Sequence, residues 1–391
     1  MSDIVIVGAK RTAIGSFNGV FADVASPDLG ANAIKAALDQ SGVAAADVSE
    51  VIMGCVLPAG VGQAPARQAA LKAGVPVGTG CTTINKVCGS GMKATMLAHD
   101  ILKAGSADIV VAGGLESMTR APYLLGKARF GYRFGHSEVL DHMALDGLQN
   151  AADRKAMGEF AELCASKYTF TREEQDAYSA ESVRRALAAQ ADGKFAAEIA
   201  PVTVAGRKGD VVISSDEEPP ACDIGKIGSL RPAFKKDGTV TAASSSKISD
   251  GAAALVVTRS EVASAKGLTP LARIVAHATH AQEPEWFTTA PVGAIQKVLS
   301  KAGWAVGDVD LFEINEAFAV VAMAPIRELG IDHAKVNVNG GACALGHPIG
   351  ASGARLIVTL IHALKDRGGK RGIASLCIGG GEATAIAIEV L

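Results

Sequence analysis

The sequence predicts an α/β protein built from two similar stacked halves, each a mixed sheet with helices, plus one inserted region. Three observations carry this expectation. First, the chain contains an approximate copy of itself. Leu38 to Val56 (LDQSGVAAADVSEVIMGCV) resembles Leu299 to Phe318, and Gly89 to Gly114 resembles Ala351 to Gly380. Asp47 aligns with Asp308, Ser90 with Ser352 and Gly113 with Gly379, at separations of 261, 262 and 266 residues. Three ordered matches at nearly one offset indicate a duplicated unit. Second, short apolar runs without polar alternation, typical of strands buried on both faces, alternate with helical patterns. Third, the stretch between the copies has a different composition and no counterpart in the second copy.

Taken in order, IVIVGAKRT is a strand, the Ala-rich run from Leu29 a helix, and EVIMGCV a strand. NKVCGSGMKATMLAHDIL follows as a Gly-rich turn into an amphipathic helix, marked by Met92, Met96, Leu97 and Ile101, and DIVVAGG is a buried strand. In the second half LARIVAHAT, the helix from Gly293 and DLFEIN repeat the alternation. The expected boundaries are 1–118 with 248–268 for the first half, 119–247 for the insertion, and 269–391 for the second half. The insertion holds the basic-aromatic loop GKARFGYRFGH, a polar helix TREEQDAYSAESVRRALAA, and the turns GRKGD, DEEPPACDIG and KKDG.

The bulk numbers narrow the function classes. Of 391 residues, 49% are hydrophobic and 20% charged, enough for a large core, and the net charge of −2 points away from nucleic-acid and membrane-surface partners. The N-terminus lacks the basic and long apolar regions of a secretory signal, and no apolar run reaches membrane-spanning length, so a cytoplasmic protein is expected. Seven cysteines, an odd number with no CxxC pair, argue against structural zinc.

Cys88 stands directly before Gly89-Ser90-Gly91. The stretch fits G-x-G-x-x-A, with Asp108 further on, but Asn85 and Lys86 interrupt the preceding strand and Asp108 precedes the next one, so dinucleotide binding is a poor fit. A cysteine in the first turn of a helix would instead meet unsatisfied N–H groups and the positive dipole end, which favour thiolate. On local grounds Cys88 is either such a nucleophile or a buried small hydrophobe. A nucleophile needs a base and an oxyanion site. His347, between Gly346 and Pro348, enters the second copy of the Cys88 helix, so stacked halves would bring it to Cys88. Cys377 ends a buried strand ahead of three glycines whose N–H groups could hold an oxyanion. Asn315-Glu316 closes an apolar strand, and Ser244 to Ser246 precede another. Each also has an ordinary explanation: a cap, a core thiol or a polar turn.

Together NKVCGSGMKA, GGLESM, GRKGD, LRPAF, INEAFA, VNVNGGACALGHPIGASGAR and CIGGG resemble the thiolase family over essentially the whole chain. The resemblance implies an α-β-α-β-α layered fold with the insertion covering a coenzyme A site. It implies a reversible Claisen condensation of two acetyl-CoA to acetoacetyl-CoA plus CoA through a cysteine acyl-enzyme. Longer 3-ketoacyl-CoAs, or acyl-CoA binding without catalysis, are the alternatives. In the implied roles Cys88 is the nucleophile, His347 its base and Cys377 the acid/base acting on the second acetyl group. Asn315 holds a water that forms one oxyanion site with His347, and the N–H groups of Cys88 and Gly379 form another. Ser246, Leu148, Met157, Phe234, Ala242 and Phe318 are the implied CoA and acyl contacts. CoA thioesters are substrates, no metal or redox cofactor is implied, and a dimer or tetramer is expected, with Gly126 to Gly135 as a tetramer contact. The sequence departs from the family at Ser244-Ser245-Ser246-Lys247 (usually Asn-Ala-Ser-Gly), at Ala156 (usually His), at Glu218-Pro219-Pro220 and at Glu382.

Overall fold

The computed structural model describes residues 2–206 and 209–391. Arg207 and Lys208 of the GRKGD turn lie outside them. The first half runs β1 (Ile4–Thr12), α1 (Ser26–Ser41), β2 (Glu50–Gly54), α2 (Pro65–Lys72), β3 (Gly80–Ile84), α3 (Ser90–Lys103) and β4 (Ile109–Ser117). The insertion contributes α4 (Met157–Tyr168) and α5 (Arg172–Ala191), and β5 (Ser249–Arg259) returns to the first half. The second half runs β6 (Ala272–Ala281), α6 (Ala290–Ala302), β7 (Leu311–Ile314), α7 (Ala319–Leu329), α8 (Ile349–Arg367), β8 (Arg371–Ile378) and β9 (Glu382–Val390).

The two halves have matching strand patterns. In the first, β2 lies parallel to β3 and β4, and β5 pairs antiparallel with β4 and β1. In the second, β7 lies parallel to β8, and β9 pairs antiparallel with β8 and β6. A single parallel bridge, Phe312 to Val336, stands where β3 pairs in the first half. Both halves also end their first helix alike: Gly42 and Gly303 adopt φ of 72° and 69°, and their N–H groups reach back to the carbonyls of Leu38 and Leu299. That left-handed turn is cheap only for glycine. The sheets join through three antiparallel residue pairs between β1 and β6, a continuity the repeat did not reveal.

Three hydrophobic clusters separate five layers. Val5, Leu29 and Ile34 pack α1 and α2 on the outside of the first sheet. Ile295, Val320 and Ile373 pack α6 and α7 on the outside of the second. Between the sheets lie α3 and α8, with Met92, Leu102, Leu356 and Leu360 in the central cluster. Fifteen of the nineteen residues of α8 are buried, as a helix between two sheets requires. No helix among the described residues is long and apolar enough to cross a membrane.

Ion pairs with both partners fully buried tie the parts together. Arg11 of β1 pairs with Glu198 at 2.6 Å and Asp216 at 2.7 Å, so two points of the insertion are anchored to the first sheet. Arg355 of α8 reaches Glu313 of β7 at 3.3 Å.

The glycines beside Cys88 and His347 have a packing role. A Cβ on Gly91 would stand 2.8 Å from the Ala354 nitrogen, and one on Gly353 2.3 Å from the Met92 nitrogen. The starts of α3 and α8 are therefore in backbone contact. Gly114 of β4 lies under them, where a Cβ would come within 2.0 Å of the Gly350 oxygen. Overpacking of this kind costs about 1–3 kcal/mol. Gly114→Ala and Gly353→Ala should each lower the urea midpoint accordingly. Gly307→Ala, with nothing within 4 Å of the added carbon, should leave it unchanged.

Candidate active site

Cys88 sits in a turn that the sequence ties from within. Asn85 Oδ1 accepts the Val87 N–H at 2.8 Å, Ser90 Oγ accepts the Lys86 N–H at 2.8 Å, and the same hydroxyl donates to the Val87 carbonyl at 2.7 Å. Val87 is held at φ 46°, a conformation that a β-branched residue rarely adopts. Lys86 pairs with Glu382, so the acidic residue that departs from the family pattern after CIGGG has a partner in this turn.

The structure corrects one expectation about the thiol. The helix begins at Ser90 with Gly89 as its cap, so Cys88 lies ahead of the first turn rather than in it. Burial pushes the Cys88 thiol up to about 11, opposed in part by backbone contacts with Gly379 and its own amide, and reinforced by the Glu116 carboxylate. The thiol is therefore neutral at physiological pH, and the helix start does not ionise it.

His347 is buried at the end of its Gly-Pro loop. Its Nδ1 lies 2.6 Å from Ser352 Oγ, whose own proton goes to the Pro348 carbonyl at 3.0 Å. The serine oxygen thus accepts from Nδ1–H, which leaves the Nε2 lone pair free. Asn315 Nδ2 faces that lone pair at 3.3 Å. Asn315 Oδ1 is buried and meets no donor among the described residues. Burial, with a smaller contribution from the Arg355 charge, lowers the imidazole to about 3.

Cys377 ends β8 and is fully buried, and its thiol is pushed well up by burial and then by nearby Cys88. The two cysteine loops abut, since a Cβ on Gly89 would stand 2.4 Å from Ile378 Cδ1. Gly379 is also against the Cys88 turn, with the Val87 side chain 3.8 Å and Met157 Sδ 3.5 Å from the site of its missing Cβ.

A cavity of about 310 Å³ opens beside these groups, with His347 in its wall. Leu148, Met157, Phe234, Ser246 and Phe318 line it as expected. Ile349, Ile248 and Leu148, which line it too, belong to the apolar cluster against which Cys88 packs. Ala242 is not in the lining: it is exposed, and its carbonyl accepts from Lys247 Nζ at 2.7 Å. The departures Ala156 and Lys247 do line the cavity.

Two groups escaped the reading of the sequence. Glu116, inside GGLESM, is fully buried and accepts the N–H groups of Val56, Leu57 and Gly350 at 2.9, 3.1 and 2.8 Å. It ties the His347 loop to the end of β2, and burial raises its carboxyl to about 7. Ser352 sets the tautomer of His347. The unbroken apolar surroundings of Glu116 were its only signal. Glu316 of INEAFA does not face the cavity; it accepts from Tyr178, Ser182, Asn337 and the Cys343 N–H and so braces the loops behind His347.

The His347 environment has a stability consequence. Between about pH 6.5 and 3 the unfolded chain binds an imidazole proton that the folded chain refuses. Stability should therefore fall as pH falls through that window, by at most about 1.4 kcal/mol per pH unit from this group. Urea unfolding at pH 7 and 5 should show a shallower loss for His347→Asn than for the wild type. Known proteins match this chain along nearly its whole length. Residues 4–261 match the family model for the thiolase N-terminal domain and 268–390 that for the thiolase C-terminal domain. An acetyl-CoA acetyltransferase of Chromobacterium violaceum is 54% identical over 99% of both chains, and one of Escherichia coli 52% over 100% of both. The crystal structure of the Bacillus anthracis acetyl-CoA acetyltransferase superposes with TM-score 0.98 at 43% identity, covering 100% of this chain and 99% of that one. A thiolase from Ascaris suum in complex with coenzyme A gives 0.95 at 43% identity, over 100% of both. With both family models matched in order along nearly its whole length, and with the same layered fold, this chain belongs to the thiolase family.

Proposed function

We propose that this protein is an acetyl-CoA C-acetyltransferase, interconverting two acetyl-CoA with acetoacetyl-CoA and CoA. The observation that carries the reading is the meeting of Cys88, the His347–Asn315 pair and the Cys377–Gly379 loop beside one apolar cavity. The relatives' names and the coenzyme A complex of a structural neighbour support the choice of CoA thioesters as substrates.

The protonation states suggest the order of events. Cys88 Sγ attacks the thioester carbonyl of acetyl-CoA while its proton moves to His347 Nε2, the nitrogen left free by Ser352. The departing CoA thiolate takes the proton of neutral Cys377, leaving acetyl-Cys88 and a Cys377 thiolate. That thiolate removes a methyl proton from a second acetyl-CoA, and the enolate carbon attacks the acetyl carbon. Cys88 sulfur leaves and recovers its proton from His347, so every group ends as it began. The N–H groups of Cys88 and Gly379 receive the tetrahedral oxyanion. Asn315, with a water, and His347 face the enolate oxygen. Fixed donors at such a position are worth about 10²–10³ in rate. A thioester on Cys88 keeps the acetyl group activated, so both directions remain open. Thiols, imidazole and backbone N–H groups carry each step, and CoA thioesters enter as substrates rather than cofactors.

A second copy of the chain is the proposed partner, as a dimer or tetramer in the cytoplasm. The loop from Gly126 to Gly135 supports it: Phe130 and Phe134 are 83% and 108% exposed there, among Lys127, Arg129 and Arg133.

Incubation with acetyl-CoA should give a 42 Da adduct, the mass of an acetyl group replacing a proton (about 42 by composition), on Cys88 in intact-mass spectra. Cys88→Ala should lose the adduct and all activity. Cys377→Ala should still accumulate acetyl-Cys88 but not condense it; failure to acylate would overturn this division of labour. In thiolysis, kcat/KM for acetoacetyl-CoA should exceed that for longer 3-ketoacyl-CoAs by about tenfold or more. Preference for the longer chains would reassign the substrate, and an absent adduct would leave acyl-CoA binding alone.

A further inference from the structure

A second cluster of chemistry lies at the far end of α3, about 14 Å along the helix axis from Ser90. His99 and Asp100 come from the last turns of this helix in the first half, and His277 comes from β6 in the second half. Three atoms converge: His99 Nδ1 to Asp100 Oδ1 is 3.0 Å, His277 Nε2 to the same oxygen 2.9 Å, and His99 Nδ1 to His277 Nε2 3.2 Å. The imidazoles meet edge to face at 85° with centroids 4.8 Å apart, which turns their nitrogens to a common point rather than stacking the rings. Both side chains are 15% exposed while the carboxylate is 51% exposed, so the triangle is half sunk and open on one side.

Protons cannot satisfy all three sides. If both rings donate to the carboxylate, two N–H groups face each other across 3.2 Å. If one ring accepts from the other, it gives up the carboxylate. A cation above the triangle would serve three lone pairs at once. Bonds of about 2.0–2.2 Å, at angles between octahedral and tetrahedral, need ligand separations of about 2.9–3.5 Å. The three observed separations fall in that range.

We propose that His99, Asp100 and His277 bind a divalent first-row transition cation of the zinc class, with its remaining coordination positions open to solvent. Two imidazoles and one carboxylate suit zinc, cobalt, nickel or ferrous iron, whereas calcium and magnesium prefer all-oxygen sets. Because the ligands come from both halves, the cation clamps the central layer at the end opposite Cys88. Its effect is on stability, not on acyl transfer, since a ligand of the folded state alone raises the melting temperature by mass action.

The test uses full-length protein stripped with chelator and titrated with Zn(II) by calorimetry and with Co(II) by visible absorption. Wild type should bind one equivalent, show Co(II) ligand-field bands without thiolate-to-cobalt charge transfer, and melt at higher temperature with Zn(II). His99→Ala and His277→Ala should each weaken binding by at least the roughly 10–100-fold that loss of an outer-shell partner costs. Asp100→Asn should also weaken it. Metal-free thiolysis should be unchanged in His99→Ala, whose circular dichroism confirms folding. Absence of stoichiometric binding overturns the proposal. So does binding that survives in His99→Ala and His277→Ala but is lost when the thiols are alkylated, which would place the metal on cysteine.

Discussion

The backbone contact between the starts of α3 and α8 sets the geometry of the whole protein. These two helices come from different halves and share one layer between two sheets. Gly91 lies against Ala354, and Gly353 against Met92, at separations no side chain tolerates. The turn holding Cys88 leads into the first helix and the loop holding His347 leads into the second. The placement of Cys88 relative to His347 is therefore a by-product of helix packing. Glu116 fastens the same place by accepting the Gly350 N–H at the start of α8, where a negative charge is favoured by the helix dipole.

Burial does the rest of the electrostatic work. It raises both thiols, lowers His347 and lifts Glu116 towards neutrality. With these shifts neither cysteine nor His347 is charged at rest. In the proposed reaction charge appears only as bonds change, next to backbone N–H groups and in surroundings where such donors act strongly. A resting thiolate, which the sequence alone suggested for Cys88, would carry the desolvation cost of this site.

Some of this was legible in the sequence because it rests on short-range regularities. Short apolar runs such as IVIVGAKRT and DIVVAGG read as strands covered on both faces, and the offset between Asp47 and Asp308 exposed the duplication. Cys88, His347, Cys377 and Asn315 stood out because each interrupts an apolar or glycine-rich pattern. Other features left no such trace. Val87 looks like any core valine until its φ is known. Ser352 looks like a helix residue until its hydroxyl is seen on His347. Ala242 matched a family position yet is exposed and lies outside the cavity lining, with its carbonyl on Lys247 Nζ. His99 and His277 are 178 residues apart, and no spacing rule connects them.

By itself, then, the sequence determined the duplicated α/β plan and the family, and it singled out Cys88, His347, Cys377 and Asn315 as candidates. Those depend on periodicity, on residue type and on motifs a few residues long. Only the tertiary structure decided that the two sheets are continuous through β1 and β6, that the glycines serve helix contact, and that Cys88, Cys377 and His347 are neutral. Close approach and desolvation are produced by many distant segments arriving at one place, and no local pattern encodes their sum.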